Sequence, residues 1–383
     1  MKRPDKMILL LFMIAVTCIA CSDNSIQASR EKWLDTDGDE IVFGMSYPVA
    51  ATESNTGFLN GVSMAVNEVN KVGILGKKLQ IDKKDDEGAV TVGSEVAQSF
   101  VDDPRISVVI GHWNSRVTNA VADIYNRNKM VMVTPASTSP TLTAQGYQYV
   151  FTTINNDKTY GGTMARYSAE YGLDRVVICY ADDDYGLGLA NAFEDAAIEN
   201  GIQVVDRITN INKSNIRDCI DKWNALDYNA VFIADIMSEA MNSIRIIRTE
   251  DIRVPIMGAT GIDTGSFIEM MGSAAEGITM PTTFNTTLQT EKMSRFLTDY
   301  QKLYGEFPDH WAAQGYDTVM ILCKAIETSG SAAPDKIAAA LYEIKDYEGI
   351  SGKVTCNSRG EIVGPDLYVK KIQDGKYIYI GKY

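Results

Sequence analysis

Two clusters of hydroxyl and amide side chains follow apolar runs. His112, Trp113, Asn114 and Ser115 come one glycine after "ISVVI" (Ile106–Ile110), and "TPAST" (Thr134–Thr138) follows "MVMV" (Met130–Val133). Val117, Val121, Ile124 and Tyr125 then recur at helical spacing, so Ser115 falls where a helix begins. A hydroxyl beside the free N–H groups of a helix start can hold an anion. Plainer readings stand beside this one: Ser115 as a helix cap and "TPAST" as a turn.

The residues of other chemistries do not assemble. There are only two histidines, His112 and His310, and neither lies in an H-E-x-x-H. No G-x-S-x-G elbow and no G-x-x-x-x-G-K-[ST] phosphate loop occurs. "YGLGLA" (Tyr185–Ala190) lacks the third glycine of a dinucleotide loop, and "DDD" (Asp182–Asp184) reads as a solvated acidic start to a helix. The chain is therefore expected to be neither an enzyme nor a metal or cofactor protein.

Regular elements must carry the two clusters. "IVFGM", "KLQID", "ISVVI" and "MVMV" read as strands, separated by helical patterns such as Phe58, Val62, Ala65, Val66 and Val69. Near-continuous apolar strands alternating with helices imply a parallel sheet covered on both faces. After "YVFTTINND" the alternation restarts: a helix near Thr159–Tyr171, then "RVVICY", "IQVVD", "AVFIA" and "VPIMG" with helices between them. Helices over Thr290–Tyr304, Trp311–Thr328 and Pro334–Ile344 and short terminal strands complete the pattern. The fold class is α/β, with two doubly wound parallel sheets.

At 383 residues the chain has room for two domains, and its formal charge of -14 argues against nucleic acid as a partner. Lys2, Arg3 and Lys6 precede the apolar "MILLLFMIAV", which is the pattern of a secretory signal. Residues 22–39 are polar and aperiodic and read as a tether. Cys179, Cys219, Cys323 and Cys356 form no C-x-x-C pair. A Cys219–Cys356 disulfide suits a secreted chain, but no spacing argues for it.

Taken together, "GILGKKLQIDKKDDEG", "SVVIGHWNS", "TPASTSPTLT", "DDYGLGLANAF", "GSAAEGI" and "GYDTVMILCKAIE" resemble the marker segments of type I periplasmic binding proteins. The branch they resemble serves uptake of branched-chain and hydrophobic amino acids. Ala20 before Cys21 is similar to the cleavage box of bacterial lipoproteins, with Cys18 where that box usually carries Leu. The resemblance implies an extracytoplasmic, lipid-anchored monomer with the lipid on Cys21. It would capture a small, amino acid-like ligand and pass it to an ABC transporter permease. A ligand-sensing receptor of the same fold is the alternative. The implied layout is a first lobe of 40–156 with 284–361 and a second of 157–283 with 362–383, joined by a multi-strand hinge.

The resemblance also implies roles in a cleft between the lobes. Ser115 and Thr138 would grip the ligand's α-carboxylate, and the carbonyl of Ala136 would accept from its ammonium. Tyr185 aligns with a cleft aromatic of the second lobe, and Trp113 and Asn114 with the side-chain pocket of the first. Arg116 faces solvent or reaches an anionic ligand. Several positions depart from the family. Ser54 stands in place of an aromatic, Ile236 in place of a tyrosine, and Thr260 in place of the glutamate that pairs with the ammonium. Glu87 and Asn114 occupy the sites of a disulfide that some members carry. Of the acids near Thr260, Asp235 ends the strand "AVFIA" and is expected to replace the missing charge, ahead of Asp263 in the following loop.

Overall fold

The apolar runs become two sheets in a computed structural model that describes residues 26, 28–34, 38–52, 56–251, 253–364 and 366–383. Strands β1 (Glu40–Tyr47), β2 (Lys78–Asp85), β3 (Ile106–Ile110), β4 (Val131–Thr134) and β5 (Val150–Thr152) pair in the order β2-β1-β3-β4-β5, all parallel. Helices α1 (Gly57–Val72), α2 (Val90–Asp102) and α3 (Ser115–Arg127) cross between them. β3 and β4 are buried at every position, because helices cover both faces of a parallel sheet.

The second sheet repeats the arrangement. β6 (Arg175–Tyr180), β7 (Gln203–Ile208), β8 (Ala230–Ala234), β9 (Ile256–Met257) and β10 (Thr279–Thr282) are parallel, in the order β10-β9-β8-β6-β7. Helices α4 (Asp157–Glu170), α5 (Asp184–Glu199), α6 (Ile216–Ala225) and α7 (Met237–Glu250) accompany them. The C-terminal β14 (Tyr368–Gln373) and β15 (Lys376–Lys382) extend this sheet antiparallel beyond β10. Helices α8 (Glu291–Tyr304), α9 (His310–Ser329) and α10 (Pro334–Tyr342) return to the first lobe, and a small sheet of β11 (Tyr347–Gly349), β12 (Gly352–Cys356) and β13 (Ile362–Val363) sits beside β5.

The chain thus passes between the lobes after β5, after β10 and between β13 and β14. Glu361 ties down the first passage. Its buried carboxylate accepts from Thr143 Oγ1 (2.8 Å) and from Asn156 Nδ2 (3.2 Å). Asn156 in turn caps α4 through the Thr159 amide, which fixes where Asp157 enters the helix.

The packing of α1 on α9 depends on two glycines. A Cβ on Gly61 would lie 2.0 Å from the Ala312 carbonyl oxygen, and one on Gly315 would lie 2.3 Å from that of Phe58. The close approach sets Phe58 edge-on to Trp113 (5.2 Å between centroids) and Trp113 against Trp311 (4.7 Å).

One expectation is corrected here. Residues 28–34, read as tether, are helical and packed on the first lobe. Arg30 is only 3% exposed and donates to the carbonyls of Ile106 (2.9 Å), Val101 (2.7 Å) and Asp103 (3.2 Å), so it satisfies acceptors at the end of α2. Cys219 and Cys356 are free thiols, one on α6 of the second lobe and the other on β12 of the first. Cys21 and Ser54 lie outside the described residues, and among those described no helix is long and apolar enough to cross a membrane.

Candidate functional site

In each sheet the strand order reverses once, at β1/β3 in the first and β6/β8 in the second. Loops leaving the carboxyl ends on either side of such a reversal diverge and leave a crevice. The two crevices face each other across one cavity. From the first lobe come Gly88, Trp113, Asn114, Ser115, Arg116, Ala136 and Trp311; from the second, Asp183, Asp184, Tyr185, Ile236, Thr260 and Gly261.

Eight of the residues given a possible ligand role from the sequence therefore share one cavity: Trp113, Asn114, Ser115, Arg116, Ala136, Tyr185, Ile236 and Thr260. Asn114 holds the cap position of α3 in extended backbone, yet its side chain makes no capping bond, and Ser115 is the first helical residue. Ser115 Oγ accepts from Ser137 Oγ at 3.2 Å, which joins the two hydroxyl clusters directly. Thr138 sits just behind the wall. Its hydroxyl is buried and has no hydrogen-bond partner. Tyr185 Oη accepts from the Gly261 amide at 3.3 Å, so the second-lobe wall is braced by its own hydrogen bond.

Neither acid named from the sequence, Asp235 or Asp263, lines the cavity. Asp263 is wholly buried and ion-paired with Lys370, whose ammonium also lies 3.9 Å from the Tyr377 ring centroid. It does not line the cavity, so the expectation that it serves the ligand is corrected: its charge is already met by a lysine far along the chain. Asp235 is half-buried behind Ile236 and Gly261 and accepts from the Ile236 amide (2.8 Å). Burial pushes its carboxyl up to about 7, against that amide bond and with Glu239 and Asp183 adding to the rise. It too stands behind the wall rather than in it.

Asp157 carries the feature that the sequence did not reveal. It is 1% exposed, and neither carboxylate oxygen makes a hydrogen bond of normal geometry, the Thr138 hydroxyl approaching it without completing one. Its amide donates to the Thr138 carbonyl (2.8 Å), so it lies directly behind the "TPAST" loop. Across from it stands Gly188 of α5, where a Cβ would come within 3.0 Å of Oδ2. Burial pushes the carboxyl up to about 8; the nearby Thr138 hydroxyl opposes the rise and Asp183 adds to it. An unpaired buried carboxylate is costly, and a cation brought beside it would relieve that cost.

Comparison with known proteins decides the family. The periplasmic binding protein family model matches residues 40–376. The chain belongs to this family. A curated relative from Pseudomonas aeruginosa, a leucine-, isoleucine-, valine-, threonine- and alanine-binding protein, is 26% identical over 339 residues, covering 86% of this chain and 89% of the relative. An ABC transporter substrate-binding protein from Desulfitobacterium hafniense, solved in complex with Leu, is 35% identical with a TM-score of 0.80, covering 89% of this chain and all of that one. A leucine-binding protein from Thermotoga maritima is 26% identical with a TM-score of 0.82, covering 89% and 98%.

Within this periplasmic binding protein the cavity lining combines the apolar Trp113, Trp311, Tyr185 and Ile236 with polar groups, and its one cation among the described residues, Arg116, is exposed. Asp183 caps α5 through the Gly186 amide (2.8 Å), so one of the three consecutive acids is a helix cap that also borders the cavity. Trp311 was not legible in sequence, since one tryptophan at the start of a long amphipathic helix carries no signal of its own.

Proposed function

We propose that this protein captures a zwitterionic amino acid with an apolar side chain between its lobes and delivers it to an ABC importer. The observation that carries the reading is the unpaired carboxylate of Asp157 behind the wall that Ser115 and Ala136 line and Thr138 backs. An α-amino acid carries its two charges on one carbon, so the groups that meet them must converge. Ser115 and Thr138 would hold the carboxylate. The Ala136 carbonyl and Asp157 would meet the ammonium. Trp113, Trp311, Tyr185 and Ile236 would take the side chain. The ligands named for the relatives, leucine among them, agree with this division. The Thr260 that stands in place of an acid is then answered by Asp157.

The direct test is thermal denaturation of the purified protein with leucine, isoleucine, valine, glutamate and benzoate. A bound amino acid at a hundred times its Kd should add about 2.7 kcal/mol. Stabilisation by the three aliphatic amino acids is expected; a response to benzoate alone would overturn the zwitterion reading. Anchoring through Cys21 belongs to the same proposal, and mass spectrometry of the mature N-terminus should find a lipidated cysteine there.

The carboxylate grip has its own expected result. Thr138→Val keeps the shape and removes a hydroxyl, and a hydrogen bond to a charged group is worth about 1.5–3 kcal/mol. Leucine affinity should fall roughly ten- to a hundredfold. Ser115→Ala should cost less, because backbone N–H groups at the start of α3 remain. Calorimetric titration of both variants checks this, and wild-type affinity in both would place the carboxylate elsewhere.

A further inference from the structure

Beneath the first-lobe wall runs a buried chain of hydrogen bonds that touches its Gly88, 113–115 and 136–138 segments, leaving out Trp311. It begins at Asp86, just beyond β2. One carboxylate oxygen accepts from Ser46 Oγ (3.0 Å) and pairs with His112 Nδ1 (2.7 Å); the other accepts from the Gly88 amide (3.0 Å). The His112 ring continues through Nε2 to Tyr125 Oη on α3 (3.0 Å). The His112 carbonyl accepts from Thr134 Oγ1 (2.8 Å), and that oxygen accepts from the amide of Ser137 (3.0 Å). Ser137 Oγ then donates to Ser115 Oγ. Asp86, His112 and Thr134 are each wholly buried.

We propose that the Asp86–His112 pair is the positioning element of the ligand site, holding Gly88, the 113–115 loop and the 136–138 loop in one fixed relation. The proposal rests on the reading of those loops as the ligand's carboxylate grip. Sheet hydrogen bonds join the strands themselves, but the wall segments lie on loops beyond the strand ends. The pair supplies the missing cross-brace at the depth where water cannot compete for it.

Asp86 is held as the acceptor. Burial works against its ionisation, yet the His112 bond and charge, the Gly88 amide and the Ser46 hydroxyl outweigh it and keep the carboxyl below its ordinary range. An ionised carboxylate only accepts, so Nδ1 of His112 carries the proton between them. The ring orientation is thereby set, and with it the carbonyl that Thr134 reads.

The test compares variants that keep or break that one bond. His112→Asn places an amide nitrogen near the Nδ1 position and should bind leucine close to wild type. Tyr125→Phe removes only the far end of the ring's bonding and should do the same. His112→Phe and Asp86→Ala should each raise the Kd for leucine roughly tenfold or more, the scale of one misaligned hydrogen bond to a charged ligand. Hydrogen exchange without ligand supplies the second readout. In His112→Phe and Asp86→Ala, amides of 86–88, 112–116 and 136–138 should exchange faster together, while the second lobe is unchanged. Asp86→Ala carries the comparison if His112→Phe does not fold. Wild-type affinity in the folded breaking variants, or faster exchange confined to the substituted loop, would overturn the proposal. Loss of leucine binding in the wild-type protein would instead count against the ligand reading, and the exchange pattern would still judge the brace.

Discussion

Asp157→Asn is expected to weaken leucine binding roughly a hundredfold or more, because removing one partner of a buried charge pair costs about 3–5 kcal/mol. The same variant should melt at a higher temperature than wild type when no ligand is present. The two signs have one cause. In the empty protein neither carboxylate oxygen of Asp157 makes a hydrogen bond of normal geometry, and burial has moved the group up to about 8. An acid whose folded pKa lies above its unfolded value destabilises the fold once pH exceeds the unfolded value, and the penalty grows until pH reaches the folded one. At pH 7 wild type therefore bears most of that penalty. Asparagine keeps the shape and removes it. Melting curves with and without leucine read both effects in one experiment. A variant that binds leucine as tightly as wild type, or one that melts lower when empty, would sink the assignment.

That Asp157 escaped sequence reasoning has a physical explanation. An acid in the first turn of a helix, following an asparagine cap, is an ordinary complement to the helix dipole. Only the tertiary structure shows that α5 buries it and that nothing answers it. Asp263 failed for the converse reason. Its position beyond a strand end looked available, but Lys370 lies 107 residues later and no local pattern announces the pair. Residues 28–34 were misread because a polar, aperiodic stretch can still pack when one arginine finds three carbonyls.

The sheets, in contrast, were legible. "ISVVI" and "AVFIA" are buried at every position, and short β-branched apolar runs alternating with helical patterns suit strands with helices on both faces. Capping residues set several boundaries as well: Thr290 accepts from the Met293 amide and Asp309 from the Ala312 amide, so α8 and α9 start where their patterns start. Ser115 was legible as a cavity residue because strand ends are where open sheets bind ligands, a rule about topology that needs no distant contact, whereas Ala136 came from the family resemblance.

The pH dependence of binding tests the electrostatic reading without any substitution. Leucine's own charges are constant between pH 6 and 8, so a change in affinity over that window reports the protein. With the free carboxyl of Asp157 at about 8, most of the empty protein holds a proton there at pH 6. An ammonium beside it favours the ionised form and lowers the pKa in the complex. Binding therefore releases a proton, and affinity rises with pH until the free group is ionised. If the complex titrates below pH 6, the gain from pH 6 to 8 is roughly fiftyfold, and the profile then flattens. Calorimetry at pH 7 in two buffers of different ionisation enthalpy should register close to one proton released. Asp235, moved up to about 7 and bonded to its own neighbour's amide, is the competing source. Asp157→Asn should flatten the profile and abolish most of the proton release, while Asp235→Asn should leave both largely intact. The reverse pattern would return the ammonium to Asp235 on the second lobe, and a flat wild-type profile would remove it from both.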